Sequence, residues 1–222
     1  MNGSSDLFAA IDQHRVPIEP LLKRLLDNCA GDPGFTEDLN YSGFQPCPMS
    51  SDEIDCNNPW FFVIAMNGCG SAYGLYLHPD AMRDGLAPWA FWDHEDDVIF
   101  VLANDTEQFL RGLFTLVSDL RIDHERVVRI GAGLATIGVA TDVGSVTLPF
   151  HLTGPNADWL PPAREALLAT EQYLAMLPVE PSTAERGLLG HLQFHGDRAA
   201  RAALDAYYAE RGWCPPRSDA FD

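Results

Sequence analysis

The middle of the chain alternates apolar runs with short polar segments. Apolar, β-forming residues fill 60–66, 72–78, 89–94 and 98–103, and residues such as Gly, Pro, Asp and Glu separate the runs. This pattern predicts four consecutive antiparallel strands joined as a meander. Over 105–120 the apolar residues recur at helical spacing, which predicts an amphipathic helix packed on one face of the sheet. We therefore predict an α+β fold, an antiparallel meander of about four or more strands packed by helices.

The segments before the meander carry weaker patterns. Residues 5–29 have the apolar spacing of a helix, broken or offset near Pro17 and Pro20. Residues 31–59 are rich in Gly, Pro, Asn, Asp and Ser, which predicts a long loop with at most short strands. The predicted sheet therefore begins near residue 60.

The segments directly after the meander also carry weak patterns. Residues 127–152 mix β-branched residues with glycines, and the run VTLPFHLT at 146–153 favours a further strand. Residues 163–177 follow two prolines and predict a helix.

The C-terminal residues complete a helical extension. Residues 182–195 and 197–211 predict a helical hairpin, and each helix starts behind a residue that can cap it. We therefore divide the chain into an α+β domain over 1–121 and an extension of the same domain over 122–222. The extension is predicted to contain mixed strand first and the helical hairpin second.

The charge balance excludes several classes of partner. Fourteen Lys and Arg residues against 32 Asp and Glu residues give a formal net charge of −18. Such a surface repels a phosphate backbone, so nucleic-acid binding through a basic face is not expected. Binding to an anionic membrane surface is disfavoured for the same reason.

The N-terminus and the cysteines predict a cytoplasmic protein. The first fifteen residues lack the basic and apolar regions of a signal peptide. No apolar run approaches the roughly 20 residues that span a bilayer. The five cysteines are odd in number and show no C-x-x-C spacing, so we expect free thiols.

Most of the excess charge lies in two segments. Residues 27–57 hold seven acids and no base, and residues 78–107 hold eight acids against Arg83 alone. Together they contribute fourteen net negative charges of the eighteen. Two interpretations stay open, an ordinary solvated face and a surface shaped for a cationic partner.

Two groups of residues could carry chemistry. The run DHEDD at 93–97 surrounds an imidazole with carboxylates at a strand end, which suits an acid–base pair. His191 and His195 lie four residues apart on a predicted helix, as in a two-histidine metal site, but no third ligand is visible. We therefore predict no bound metal and no cofactor. A hydrolase or metal-dependent enzyme that combines these groups is the alternative, and it needs the C-terminal hairpin to lie against the sheet at 93–97.

The order of motifs over residues 60–120 resembles the SUKH superfamily. A glycine turn leads into an aromatic–aliphatic strand, an aromatic strand ends in W-D-H-E, and a further strand leads into a helix with an F-L pair. The matching positions are Gly68, Gly70, Tyr73, Leu75, Leu77, Phe91, Trp92, Asp93, His94, Glu95, Phe109 and Leu110. The resemblance implies that 1–121 is a non-catalytic, SUKH-like α+β domain that binds protein. Bacterial members often serve as immunity proteins that block a toxin domain, frequently a nuclease or a deaminase.

Charge and resemblance together predict a cytoplasmic bacterial immunity protein that is not an enzyme and that neutralises a cationic toxin domain of nuclease or deaminase type. The residues expected to contact this partner are Asp52, Glu53, Asp55, Asp80, Asp84, Trp92, Asp93, His94, Glu95, Asp96 and Asp97. Any of Trp60, Tyr76 and Trp89 that is exposed would add an aromatic anchor. A regulatory scaffold of the same fold, with no toxin partner, is a second alternative.

Overall fold

A computed structural model describes residues 3–46, 56, 58–95, 98–119, 124–141, 182–195 and 197–216. These residues form seven helices and five strands. The helices are α1 (Gly3–Gln13), α2 (Pro20–Gly31), α3 (Pro33–Tyr41), α4 (Thr106–Asp119), α5 (His124–Thr136), α6 (Thr183–His195) and α7 (Arg198–Glu210). The strands are β1 (Gln45–Pro46), β2 (Phe61–Met66), β3 (Ala72–Tyr76), β4 (Trp89–Asp93) and β5 (Val98–Ala103).

The five strands form one antiparallel sheet in the order β1-β2-β3-β4-β5. The predicted meander, the helix that follows it and the α+β class are confirmed. Because successive strands alternate in direction, the turns after Met66 and after Asp93 lie side by side at one end of the sheet, which we call the turn end. The loop 78–88 and the start of α4 lie at the opposite end, which we call the loop end.

Glycine is required where β3 crosses an irregularity of β2. The register between these strands shifts between Val63 and Ala65. At that point a Cβ on Gly74 would overlap the carbonyl oxygen of Phe62. The backbones therefore approach more closely than any side chain would permit.

The prediction of a loop over 31–59 is wrong for the first part of this segment, which forms α3. The side chain of Asp32 accepts hydrogen bonds from the backbone N–H groups of Gly34 and Phe35, each at 3.0 Å. Pro33 occupies the first turn, where its missing N–H costs nothing. The residues that favour a loop by composition are here the start signals of a helix.

The strand content expected from residue 127 onward is also wrong over the length of α5. Gly133 of α5 lies directly against the ring of Phe35 in α3, and a Cβ there would overlap that ring. Gly131 lies against Phe114 of α4, where a Cβ would come within 3.2 Å of the ring. The glycines thus let a helix pack closely on two others, whereas in the sequence they appear as breaks between strands.

The C-terminal helical hairpin is confirmed by α6 and α7. Asp197 caps α7 by accepting the N–H of Ala199 at 2.8 Å. Ser182 Oγ accepts the N–H of Glu185 at 3.2 Å, and a Glu185 carboxylate oxygen lies 3.3 Å from the N–H of Ser182. This reciprocal pair is a capping box and fixes the start of α6.

Parts of the sequence prediction lie beyond this description. The strand expected over 146–153 and the helix expected over 163–177 lie outside the described residues. The domain division at residue 121 stays a prediction. None of the described helices has the length and apolarity needed to cross a bilayer.

A buried polar contact joins three elements at the loop end. Glu19, directly before α2, accepts hydrogen bonds from both the N–H and the hydroxyl of Thr106, each at 2.9 Å. The indole N–H of Trp89 in β4 donates to the same hydroxyl at 3.1 Å. The ring of Trp89 stacks on Phe109 of α4 with centroids 3.8 Å apart, so α4 is held on the sheet at its first turns.

Candidate functional site

Two turns meet at the turn end of the sheet. In the turn between β2 and β3, the side chain of Asn67 accepts the N–H groups of Cys69 and Ser71, each at 2.9 Å. Gly70 has a positive φ of 98°, which glycine adopts without strain. These side-chain hydrogen bonds define the shape of the turn, which presents Cys69 to solvent.

A serine and a histidine connect the two turns. Ser71 Oγ lies 3.0 Å from His94 Nδ1 and accepts the backbone N–H of His94 at 3.3 Å. The hydroxyl can donate its hydrogen to Nδ1 while its oxygen accepts that N–H. The imidazole also lies over Gly70, where a Cβ would be 3.5 Å from the ring. The pair thus fixes the turn after β4 against the turn after β2.

Asp93 and Glu95 have different roles at this end. Asp93 is buried, and its carboxylate accepts the N–H of Glu95 at 3.0 Å, so it shapes the turn. Glu95 is exposed beside the exposed ring of His94. Asp96 and Asp97 lie outside the described residues.

The other predicted acids of this segment lie at the loop end. Asp80 and Asp84 are exposed in the loop 78–88. Arg83 and Leu86 exchange two backbone hydrogen bonds of 2.9 and 2.8 Å around Asp84 and Gly85, both of which have positive φ, as in a type I′ turn. The length of β4, about 14 Å, separates these acids from Glu95. The acids of 78–107 therefore do not form one cluster, and Arg83 is interleaved with those of the loop.

The aromatic side chains expected as anchors are in the core. Trp92, predicted to contact the partner, is 4% exposed and buried. Trp60, Tyr76 and Trp89 are also at most 5% exposed. A partner at either end of the sheet therefore meets polar side chains before it meets these rings.

Several acids of 27–57 stabilise the fold. Asp38 is buried, and Arg129 binds it through two contacts of 2.7 and 2.8 Å, while Arg126 Nε lies 3.0 Å from its carboxylate. Hydrogen bonding from Arg129, the largest influence, lowers the pKa of Asp38. Asp27 lies 2.9 Å from Lys23, and Asp32 caps α3. The predicted contact residues Asp52, Glu53 and Asp55 lie outside the described residues.

The geometry does not bring together the groups of the enzymatic alternative. The contacts that the hairpin makes with Trp60 and His78 are at the loop end, whereas Asp93 and His94 are at the turn end. His191 is exposed on α6, and the side chain of His195 lies outside the description. The described residues include no group of three or more His, Cys, Asp or Glu side chains placed to hold a metal ion.

A second polar cluster, at the loop end, was not predicted from the sequence. Glu185 of α6 accepts the hydroxyl of Tyr208 at 2.7 Å, and the same carboxylate oxygen lies 3.3 Å from His78 Nε2, in a geometry too bent for a regular hydrogen bond. Burial alone would raise the pKa of Glu185, but His78 and Tyr208 outweigh it, so the pKa is lowered. In the sequence, the Ser-x-x-Glu spacing indicates the capping box. It does not indicate the contact with His78, which is more than 100 residues away.

Comparisons with known proteins found no match, so a function can be inferred only from the residues and their arrangement. No family model matches the chain, and no curated protein or solved structure is significantly similar to it.

Proposed function

We propose that the protein is a SUKH-like immunity protein, which acts in the cytoplasm and binds a cationic toxin domain of nuclease or deaminase type without catalysing a reaction. The observation that carries the proposal is the composition of the turn end. Its described residues, 67–71 and 93–95, include the exposed Glu95 and contain no Lys or Arg. The sequence continues from there into Asp96 and Asp97.

Rigidity supports binding at this end. Asn67 shapes one turn, Asp93 shapes the other, and the Ser71–His94 pair joins them. A surface that is ordered before the partner arrives loses less conformational entropy on association. The turn end thus combines negative charge with a fixed shape.

Charge supports a cationic partner rather than an anionic one. The net charge of −18 produces a negative potential around the whole molecule. Nuclease and deaminase domains act on an anionic substrate, so their clefts are expected to be basic. Opposite charges accelerate encounter and disfavour wrong partners.

The environment of Ser71, the serine that contacts His94, supports binding rather than catalysis. Ser71 is 4% exposed, and its hydroxyl is already engaged by His94 Nδ1 and by the His94 N–H. A nucleophilic serine needs an accessible oxygen and a base that a third group orients. The Asp93 carboxylate accepts its described hydrogen bond from the N–H of Glu95, within its own turn.

The experiment is rescue of growth in cells that express a toxin domain encoded next to this protein. Wild-type protein should restore growth. A triple variant, Glu95→Lys with Asp96→Lys and Asp97→Lys, should lose rescue, whereas Glu210→Lys, an exposed acid on α7, should retain it. Asp93 is left unchanged because it shapes the turn. Loss of rescue by both variants, or by neither, would argue against binding at the turn end.

A further inference from the structure

The C-terminal hairpin contacts the sheet through an aromatic cluster at the loop end. Trp60 lies directly before β2, and its ring centroid is 5.0 Å from that of Tyr208 in α7. The ring centroid of Trp213, after α7, lies 6.1 Å from that of Trp60 and 5.1 Å from that of His78. These contacts join residues 60 and 78 to residues more than 100 positions later in the chain.

Glu185 lies at the centre of this attachment. Its carboxylate side chain is only 3% exposed, and it contacts the loop end through His78 and the other hairpin helix through Tyr208. A buried carboxylate is tolerated only where such donors replace water. The attachment therefore depends on a charged group that acid can neutralise.

The protonation of His78 fits this arrangement. Its Nδ1 accepts the backbone N–H of Asp80 at 3.2 Å, so Nδ1 carries no hydrogen and the ring hydrogen is on Nε2. Nε2 is the atom that faces Glu185. The N–H edge of the imidazole thus faces the carboxylate at contact distance, without a regular hydrogen bond, while Nδ1 holds the first residues of the loop 78–88.

We propose that Glu185 is an acid-sensitive latch, whose protonation releases α6 and α7 from the loop end before the sheet unfolds. In the docked state the carboxylate is favoured as the anion. The free energy that this anion contributes is present above the ordinary pKa of glutamate and is lost as the pH falls through the lower pKa of the docked state. This inference is independent of the proposed function.

The groups that face Glu185 come from three parts of the fold. They are His78 from the loop end, Tyr208 from α7 and Tyr76 from β3. Burial, with added effects of the Glu185 and Cys56 charges, raises the pKa of Tyr76 to about 12, so Tyr76 stays neutral in acid. Glu185 and the buried Cys56 thus share the surroundings of Tyr76, and release of the hairpin is expected to expose the Cys56 thiol.

The test is the rate at which 4,4′-dithiodipyridine, a reagent that reacts with thiols in acid, modifies Cys56 in the full chain. Mass spectrometry of peptides identifies the modified cysteine, and the exposed Cys69 and Cys214 serve as internal references. As the pH falls from the ordinary pKa of glutamate to the lower pKa of the docked state, the normalised Cys56 rate should rise by up to about tenfold per pH unit, because opening takes up one proton, and it should level off below that range. Far-UV circular dichroism should still report the folded sheet in that range.

Two variants separate the latch from general acid unfolding. Glu185→Gln keeps a residue suited to the capping box but removes the charge. It should expose Cys56 at neutral pH and abolish the dependence on acid. Tyr208→Phe removes a donor to the carboxylate, so it should raise the Cys56 rate at neutral pH and make the rise in acid smaller, and it provides the test if Glu185→Gln fails to fold. Glu210→Gln, a matched exposed change on α7, should behave like the wild type.

The proposal is overturned if Cys56 stays protected until the sheet signal is lost. It is also overturned if Glu185→Gln or Tyr208→Phe retains the pH profile of the wild type.

Discussion

At the scale of single residues, the carboxylates divide into those that build the fold and those that face solvent. Asp32, Asp38 and Asp93 accept hydrogen bonds within the protein. Glu95 and Asp84 are exposed. Counting charges along the sequence cannot separate the two groups, because Asp38 and its partner Arg129 are 91 residues apart. The acidic segment 27–57 is therefore less available to a partner than its composition indicates.

Replacement of Asp38 tests the structural role of these carboxylates. Asp38→Asn removes the buried carboxylate that both Arg126 and Arg129 contact, so we expect a loss of about 2 kcal/mol at neutral pH. The cost is below that of a fully buried pair because the Arg129 side chain is 53% exposed. The pKa of Asp38 is lowered in the folded state, so its stabilisation is present above about pH 4 and is lost as the pH falls through the folded pKa. Urea unfolding at several pH values should show the difference from wild type shrinking in acid; a constant difference would contradict this.

Substitution of Gly74 tests the close approach of β2 and β3. In Gly74→Ala the new Cβ meets the backbone of Phe62, which cannot rotate away. We expect a loss of about 3 kcal/mol or more in the free energy of unfolding, measured by urea titration. Gly68→Ala is the control, since a Cβ there meets nothing within 4 Å. A similarly small effect of both changes would show that β2 and β3 are further apart at Gly74 than in the structure.

At the scale of elements, the periodicity of apolar residues predicted the strands of the sheet and the helix that packs on it. The four strands and α4 appear where alternation and helical spacing place them. α5 was missed because its glycines pack against rings that are distant in sequence, such as Gly133 on Phe35. α3 was missed because Asp32 and Pro33, which start this helix, are residues that also favour loops. The Ser71–His94 pair was missed for a related reason. It follows from the strand register, which pairs Ala72 with Trp92, and not from local sequence.

Thr106 tests how α4 is fixed to the sheet. Thr106→Val keeps the shape of the side chain but removes the hydroxyl that binds Glu19 and Trp89, leaving both without this buried partner. We expect a loss of about 2 kcal/mol in stability, measured by urea unfolding. Thr115→Val on the same helix should change stability by about 0.5 kcal/mol or less, because its hydroxyl bonds only to the carbonyl of Arg111. Equal losses would show that the contact of Thr106 with Glu19 contributes nothing specific.

At the scale of the whole molecule, the sheet has two chemically different ends. The loop end holds the hairpin attachment and a loop in which Arg83 lies beside Asp84. The turn end holds His94 and Glu95 on the turn after β4, and His94 connects this turn to Ser71 in the turn after β2. The sequence predicted an acidic partner surface, but only the direction of the strands divides its residues between opposite ends. The proposed partner surface is therefore the turn end alone.

The most direct test is the association rate with the cationic toxin domain proposed as the partner, measured by stopped-flow at several salt concentrations. Charges of this kind act mainly on encounter and are screened beyond roughly 10 Å at 0.1 M salt. The rate should therefore fall steeply with salt while dissociation changes little. Lys substitutions at Glu95, Asp96 and Asp97 should slow association by about tenfold or more at low salt. Lys substitutions at Asp80 and Asp84 should slow it much less. Equal slowing by the two sets, or a rate that does not depend on salt, would contradict the assignment.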